Sequence, residues 1–181
     1  MKRFLYEIIG TLVLATVIFF LLQAAFSTCI VVGYSMEPEF YPGQRLLINK
    51  LVYNLHEPQR GDVIIFHPPN NLQTEYVKRI IGLPGESVEV KGGVVYIYKN
   101  GDTFPLDEPY IKAPPNYTLL KRKIPESEYF VLGDNRNNSH DSHKGWTVPR
   151  QNIIGKAWLS IWPPGEWGFA SNYTLYEVTS E

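Results

Sequence analysis

The sequence predicts a mainly β fold, in which one N-terminal transmembrane helix is followed by an antiparallel β domain. Residues 8–26 form an uncharged apolar run, and the rest of the chain alternates short β-branched and aromatic runs with turn residues. The composition, with 14 glycines, 14 prolines and 12 tyrosines among 181 residues, favours short strands joined by tight turns over a helical bundle. We expect the anchor within residues 1–27, the domain at 28–165 and a C-terminal tail at 166–181.

The apolar run is predicted to be a retained membrane anchor. As a helix, roughly nineteen residues span about 28 Å, which matches the hydrocarbon core of a bilayer. Lys2 and Arg3 precede the run, and such cations stay on the cytoplasmic side, so the domain is expected outside the cytoplasm. A cleaved signal peptide is the alternative, because residues 25–27 resemble a cleavage site, but the run exceeds the usual core of about 7 to 15 residues.

Charge and cysteine content narrow the possible functions. The formal net charge of -1 gives no indication of a nucleic-acid partner. Cys29 is the only cysteine, so no intrachain disulfide can form, and we interpret it as a small buried residue. The sequence has no glycine-rich phosphate loop, and we expect no cofactor.

The strands are predicted from β-rich runs bounded by turn residues. We assign them to residues 28–32, 44–50, 63–66, 75–81, 87–90, 94–99, 124–132 and 153–161. The runs at 87–90 and 94–99 predict a hairpin about residues 91–93, and Asn100-Gly101 marks a second turn.

The segments between these strands are predicted as follows. Residues 51–57 form a short helical or irregular connection, and residues 133–142 form a dense polar loop. Residues 102–123 contain prolines and lack clear periodicity, so we expect a long surface excursion there. The Arg-Gly-Asp triplet at 60–62 is interpreted as a turn before a buried strand, with an adhesion motif as the alternative.

Ser35, just beyond the anchor, is the candidate nucleophile. A serine hydroxyl needs a partner that takes its proton, and the best partner in the sequence is Lys78, in the strand at 75–81. Ser-Lys dyads are a known variant of the serine-histidine arrangement. On these residues alone, a turn-capping serine and a solvated edge-strand lysine remain open as the structural alternative.

Lys78 must be neutral to act as a base. At a pKa near 10.4 roughly one lysine in 2,500 is neutral at pH 7, so the side chain has to be buried. Strand alternation puts Lys78 on the same face as Tyr76 and Ile80, while Arg79 points to the other face. Only one of the two adjacent cations therefore needs to be buried.

The polar loop offers two further hypotheses. Asp134, His140, Asp141 and His143 carry metal-binding groups, but their spacing fits no calcium loop or zinc pattern, and we expect no metal. A Ser-His-Asp arrangement also stays open, although no histidine stands out as the base for Ser35.

Taken together, four motifs in this order behind an anchor resemble type I signal peptidases (peptidase family S26). These are the membrane-anchored Ser-Lys proteases that remove signal peptides from exported preproteins, in bacteria and in plastids of bacterial origin. The motifs are SMEP at 35–38, RGDVIIF at 60–66, YVKRIIGLPGE at 76–86 and GDNRNNSHDS at 133–142.

The resemblance implies roles for individual residues. Ser35 would attack the scissile carbonyl and contribute its N–H to the oxyanion hole, and Lys78 would act as general base. Ser139 matches a serine that hydrogen-bonds the lysine, and Asp141 matches the acid that helps to hold that region. Asp134 and Arg136 match scaffold residues. The residues at the positions of the shallow substrate pockets are Val31, Met36, Phe40, Tyr76 and Val77, with Cys29 near the third-position pocket.

Three positions depart from the family pattern. Gly33 stands where some members place a serine that completes the oxyanion hole, so the second donor has to be a backbone group or be missing. Glu39 replaces the usual threonine after Pro38, and His143 replaces the usual arginine after Asp-Ser.

The resemblance also implies the partners and the location. The partners would be signal peptides of exported preproteins and the lipid bilayer. The location would be the cell membrane, or a thylakoid or plastid membrane, with a single span. Two rivals remain: a self-cleaving Ser-Lys protein of the repressor-like type, and a catalytically silent anchored β domain that binds exported proteins.

Overall fold

The computed structural model describes residues 2–171 and residue 173. Its first element is helix α1 (Lys2–Ala25), in which Arg3–Ala25 is long and apolar enough to cross a membrane, with a mean hydropathy of 2.4. The end of this helix is tied to the domain, because Lys50 donates its backbone N–H to Ala25 O and its Nζ to Gln23 O, both at 2.9 Å. A cation at a helix C-terminus also complements the helix dipole.

The remainder of the described chain is mostly antiparallel β structure, which confirms the predicted fold class. An eight-stranded sheet contains β1 (Phe26–Ile30), β2 (Arg45–Asn49), β3 (Val63–Phe66), β4 (Tyr76–Gly82), β9 (Glu128–Leu132), β10 (Val148–Pro149), β11 (Ile153–Trp162) and β12 (Gly168–Phe169). A four-stranded sheet contains β5 (Ser87–Lys91), β6 (Val94–Lys99), β7 (Asp102–Pro105) and β8 (Leu119–Lys123). A one-turn helix, α2 (Val52–Leu55), follows β2.

Strand order in the larger sheet brings distant parts of the chain together. The path runs β1-β2-β11-β3-β4-β9-β10, with β12 paired to β11. β3 is buried along its whole length, between β11 and β4. Its register sets Ile64 opposite Lys78 and Val63 opposite Arg79. β4 is therefore covered by neighbouring strands on both edges, which fixes the direction of every side chain on it.

The prediction of a surface excursion at residues 102–123 was wrong. Residues at its start form β7, which pairs with β6 across the turn at Asn100 (φ 53°) and Gly101 (φ 95°), and its end forms β8. Phe104 in β7, and Leu106 and Tyr110 between the two strands, are buried in the core of the smaller sheet. Polar and proline residues separate these apolar positions, which removes the periodicity that would have revealed them.

The described part of the predicted tail packs onto the domain. β12 adds an antiparallel strand to β11, with Phe169 opposite Leu159, and Ala170 is buried in the core beside Met36 and Phe40. The rest of the tail, residues 172 and 174–181, lies outside the described residues. The sequence did not reveal this packing, because a two-residue strand and one buried alanine give no recognisable pattern.

Candidate active site

The turn that carries Ser35 follows directly from the anchor-proximal strand. β1 ends at Ile30, and Gly33, at φ 82°, takes the chain out of the extended conformation. Residues 34–39, hereafter the Ser35 turn, are held by hydrogen bonds from Glu37 N to Tyr34 O at 3.3 Å and from Phe40 N to Met36 O at 2.9 Å. The extended conformation of β1 therefore ends before Ser35. Glycine suits position 33 because it adopts a left-handed backbone conformation without strain.

Lys78 lies on β4 and points into this turn. Its side chain is buried, with 5% of the residue exposed. Nζ donates to Ser35 Oγ at 2.6 Å and to Val77 O at 2.8 Å, and it lies 5.4 Å from the centre of the Tyr76 ring. The two residues that the sequence analysis proposed as a dyad, 43 positions apart, are thus in direct contact.

Burial lowers the pKa of Lys78 from 10.5 to about 8, and the negative charges of Asp141 and Asp134 only partly oppose this effect. The charged ammonium form loses its hydration in the interior, which favours the neutral amine. Near pH 8 about half of the lysine side chains are therefore neutral. A neutral amine accepts a proton from a hydroxyl that lies at hydrogen-bond distance, which is the chemistry of a general base.

Both adjacent cations are buried, although a neutral Lys78 requires the burial of only one. Arg79, on the opposite face of β4, has 0% of its surface exposed. Its Nε and Nη2 donate to the two carboxylate oxygens of Asp134 at 2.9 and 2.7 Å. A bidentate carboxylate compensates the buried charge of a guanidinium, so both faces of β4 can be covered.

The polar loop at residues 133–142 holds the Ser35 turn in position. Asn135 donates its backbone N–H to Ser35 O at 3.0 Å and its Nδ2 to Tyr34 O at 3.1 Å. Asp141 accepts from Gly133 N at 2.9 Å and from His143 Nδ1 at 2.6 Å. Burial raises the pKa of Asp141, but the hydrogen bonds from His143 and Gly133 outweigh it and hold the pKa below its usual range.

Ser139 is partly buried beside the dyad but does not hydrogen-bond Lys78 as the resemblance implied. The lysine donates to Ser35 and Val77 instead, and Ser139 helps to lower the pKa of Asp141. Ser139 packs against Gly133, where a Cβ would lie 2.4 Å from both Ser139 Oγ and Ser35 O. Position 133 therefore has to be glycine for the loop to approach the Ser35 turn this closely.

A groove of about 610 Å³ opens at the dyad. It runs between the chain from β1 to the Ser35 turn and the start of β4. Four of the five predicted pocket residues line it, namely Val31, Met36, Tyr76 and Val77. Phe40 does not line it, because it packs behind Met36 in the core. The groove is also lined by residues that the sequence analysis did not identify: Ile30, Val32, Tyr34, Thr74, Glu75, Asn138 and His140.

The two alternatives for the polar loop find no support in its geometry. Asp134 is paired with Arg79, and Asp141 with His143, whose ring stacks on Tyr117 with centroids 4.4 Å apart. Within residues 2–171 and 173, no group of three or more histidine, cysteine, aspartate or glutamate side chains could hold a metal. In the same part of the chain, Ser35 Oγ has its hydrogen bond with a lysine and with no histidine.

Comparison with known proteins agrees with this geometry. The family model for signal peptidase, peptidase S26, matches residues 3–162. The chain belongs to the signal peptidase family. A probable signal peptidase I-1 of Synechocystis is 45% identical over 148 residues, which cover 78% of this chain and 74% of the relative. The signal peptidase I of Leptolyngbya laminosa is 47% identical over 141 residues, which cover 74% of this chain and 68% of that one.

A solved structure is similar as well. The signal peptidase I of Enterococcus faecalis V583 is 31% identical to this chain, with a TM-score of 0.39, and the match covers 56% of this chain and 97% of that one. Membership of the signal peptidase family identifies the chain as a peptidase. The family motifs that hold Ser35, Lys78 and the polar loop all meet at the groove, and the motif at 60–66 supplies β3, the neighbour of the Lys78 strand.

Proposed function

We propose that this protein is a membrane-anchored serine endopeptidase that removes N-terminal signal peptides from exported preproteins, with Ser35 as nucleophile and Lys78 as general base. The observation that carries the proposal is the 2.6 Å hydrogen bond between Lys78 Nζ and Ser35 Oγ inside an open groove. The lowered pKa of Lys78, about 8, supports the role of the neutral amine. Family membership supports the substrate class.

The reaction proceeds through an acyl-enzyme. Ser35 Oγ bonds to the scissile carbonyl carbon as its proton passes to Lys78 Nζ. The ammonium returns that proton to the leaving nitrogen as the C–N bond breaks, which frees the mature protein and leaves the signal peptide as an ester on Ser35. Water, deprotonated by Lys78, then attacks this ester and restores the serine.

The backbone N–H of Ser35 is the proposed oxyanion donor. It makes no hydrogen bond within the described part of the chain, and it belongs to the residue whose Oγ attacks. One such donor contributes about 3 to 4 kcal/mol to the stabilisation of the transition state. Position 33 cannot supply a serine hydroxyl without strain, because the backbone there is left-handed at φ 82°.

The groove supports binding of an extended peptide with small side chains before the cut. β1 pairs with β2 alone in the described sheet, so its other edge is free to receive a substrate strand. Val31 and Met36 are buried and form part of the groove floor. Tyr76 and Val77 form part of the opposite wall and narrow the groove. Bulky side chains at the first and third substrate positions would collide with these walls.

Membrane attachment is supported by the residues around the end of α1. Phe26 stacks on Trp158 with ring centroids 5.5 Å apart, and Phe169 lies 6.3 Å from the same tryptophan. Trp158 and Phe169 are exposed, and aromatic residues of this kind concentrate at membrane–water interfaces. With Lys2 and Arg3 on the cytoplasmic side, the β domain would face outward from the cell membrane, or into the lumen of a thylakoid.

Cleavage of a preprotein tests the proposal. The substrate carries alanine at the first and third positions before the cut, and the enzyme is the full chain in detergent beside its Ser35→Ala variant. We expect a cut at the signal junction by the wild type and none by the variant. A folded wild-type protein that leaves the preprotein intact would instead favour an anchored domain that binds exported proteins without cutting them.

A further inference from the structure

Ser171, which follows β12, hydrogen-bonds to both chain segments that carry the dyad, namely the Ser35 turn and β4. Ser171 donates its backbone N–H to Glu39 Oε1 at 2.6 Å, and its carbonyl oxygen accepts from Arg79 Nη1 at 2.9 Å. Glu39 ends the Ser35 turn, and Arg79 is the neighbour of Lys78 on β4. One residue, 132 positions from Glu39 along the chain, therefore links the Ser35 turn to the strand that carries Lys78.

The residues around these two hydrogen bonds are largely buried and make further polar contacts. Arg79 has none of its surface exposed, and it is also held by Asp134. Glu39 Oε2 lies 3.9 Å from Arg79 Nη2, so the glutamate faces the same guanidinium that binds the Ser171 carbonyl. Ala170, one residue earlier, is buried and donates its N–H to Trp158 O at 3.0 Å.

Tyr173 adds packing on the far side of the link. Its ring centre lies 5.0 Å from that of Tyr110 and 5.2 Å from the guanidinium carbon of Arg79. The guanidinium thus lies against two neighbouring aromatic rings, since it is also 4.4 Å from the Tyr110 ring centre. These contacts favour a fixed position of Ser171 and Tyr173 against β4.

We propose that Glu39 is a positioning residue, which clamps the backbone of Ser171 onto Arg79 and thereby holds the Ser35 turn against Lys78. This inference rests on the proposed function of the dyad. It gives a role to a departure from the family pattern, because the usual threonine is too short to span from the turn to Ser171. The clamp therefore requires glutamate at position 39 and the backbone of Ser171.

A set of substitutions at position 39 tests the clamp in the full-length protein in detergent. Glu39→Gln keeps an oxygen that accepts from the Ser171 N–H, whereas Glu39→Ala and Glu39→Thr remove it. We expect kcat for preprotein cleavage to fall about tenfold in the alanine and threonine variants, with KM within about twofold of wild type, because an unmade buried hydrogen bond loosens the turn. Glu39→Gln should keep kcat within about threefold.

A normalised rate and a control variant separate a positioning role of Glu39 from a purely structural one. kcat is expressed per folded molecule, with the folded fraction taken from circular dichroism, and Glu126→Ala, a substitution at an exposed carboxylate, is the control. Unchanged kcat per folded molecule in Glu39→Ala, or a loss in Glu39→Gln as large as in Glu39→Ala, would overturn the proposal. So would higher activity in Glu39→Thr than in wild type.

A milder variant and a wild-type measurement keep the test decisive if Glu39→Ala does not fold. Glu39→Asp retracts the carboxylate by one methylene, and kcat should fall about threefold with KM unchanged. Hydrogen exchange of the wild-type amides at Ala170 and Ser171 should be slow, and fast exchange there would contradict the clamp. Failure of the proposed function looks different: wild type and Ser35→Ala would then be equally inactive while the exchange result still stands.

Discussion

Burial of the Lys78 ammonium lowers the free energy of unfolding of the protein. Its folded pKa is about 8 against 10.5 when unfolded, which corresponds to roughly 3 kcal/mol at about 1.4 kcal/mol per tenfold change in the equilibrium constant. Below pH 8 both states bind the proton, so the folded state bears the whole cost of a buried ammonium. As the pH rises from 8 toward 10.5 the folded state is neutral while the unfolded state remains charged, and the cost diminishes.

The variant Lys78→Met should therefore stabilise the protein while it abolishes cleavage. Methionine fills a similar volume without a charge, and the loss of hydrogen bonds to Ser35 and Val77 offsets part of the gain, which leaves about 1 to 2 kcal/mol at pH 7. Thermal unfolding of wild type and variant at pH 7 and pH 9.5 measures it. The difference in Tm should be larger at pH 7. A variant less stable than wild type at both pH values would contradict a buried, destabilised ammonium.

The same pKa predicts the pH dependence of the proposed reaction. In that mechanism the neutral amine is the active form, so kcat/KM should rise with pH and level off above an apparent pKa of about 8. Initial rates of preprotein cleavage between pH 5 and 10 measure this, with circular dichroism at each pH as the control for folding. A profile that is flat from pH 5 to 9 would speak against Lys78 as the base.

At the scale of elements, the polar loop and the Ser35 turn approach each other at Gly133. A methyl group there would lie 2.4 Å from Ser35 O, a backbone atom that cannot move without the turn itself. The hydrogen bond from Asn135 N to Ser35 O depends on this approach. The loop is thus part of the geometry of the nucleophile, although none of its residues contacts Ser35 Oγ.

We expect Gly133→Ala to reduce kcat by at least about a hundredfold, since a displacement of about 1 Å at a nucleophile has effects of this size. The matched control is Gly165→Ala, a position where an added Cβ meets nothing within 4 Å. Cleavage kinetics with the folded fraction measured in parallel give the comparison. Equal activity of the two variants would show that the close approach does not control the turn.

The two central strands β3 and β4 of the larger sheet were predictable because their residues are continuously apolar or alternate. The run at 63–66 became β3 and the run at 75–81 became β4, each within one residue. The burial of Arg79 was not predictable, since its partner Asp134 is 55 positions away and nothing local to β4 indicates it. Alternation tells which face a side chain takes, but the partners that cover that face come from the tertiary fold.

At the scale of the whole molecule, the sequence predicted an apolar N-terminal helix followed by antiparallel β structure, and the described residues have both. The contact between Ser35 and Lys78 could be anticipated because a serine and a lysine at these positions accompany family motifs. The clamp at Ser171 could not, because a backbone group carries it and the sequence around it has no pattern. Neither could the groove residues Glu75 and His140, which owe their position to the approach of two chain segments.

The chain path places the groove close to helix α1, the proposed membrane anchor. β1 leaves the end of α1 and leads within ten residues to Ser35, so the groove begins close to that helix. The exposed aromatic residues Trp158 and Phe169 lie beside that strand's start. An extended signal peptide in the same bilayer would therefore reach the groove close to the membrane surface.

The most direct test of the dyad is to trap the acyl-enzyme. The full-length protein is mixed with a preprotein, quenched in acid within one turnover, digested and examined by mass spectrometry. We predict a peptide containing Ser35 that carries the signal peptide as an ester, heavier by the signal peptide's mass less one water, and no such adduct in Lys78→Met. Signal-junction cleavage that persists in Ser35→Ala, with no adduct on Ser35 in the wild type, would contradict the account.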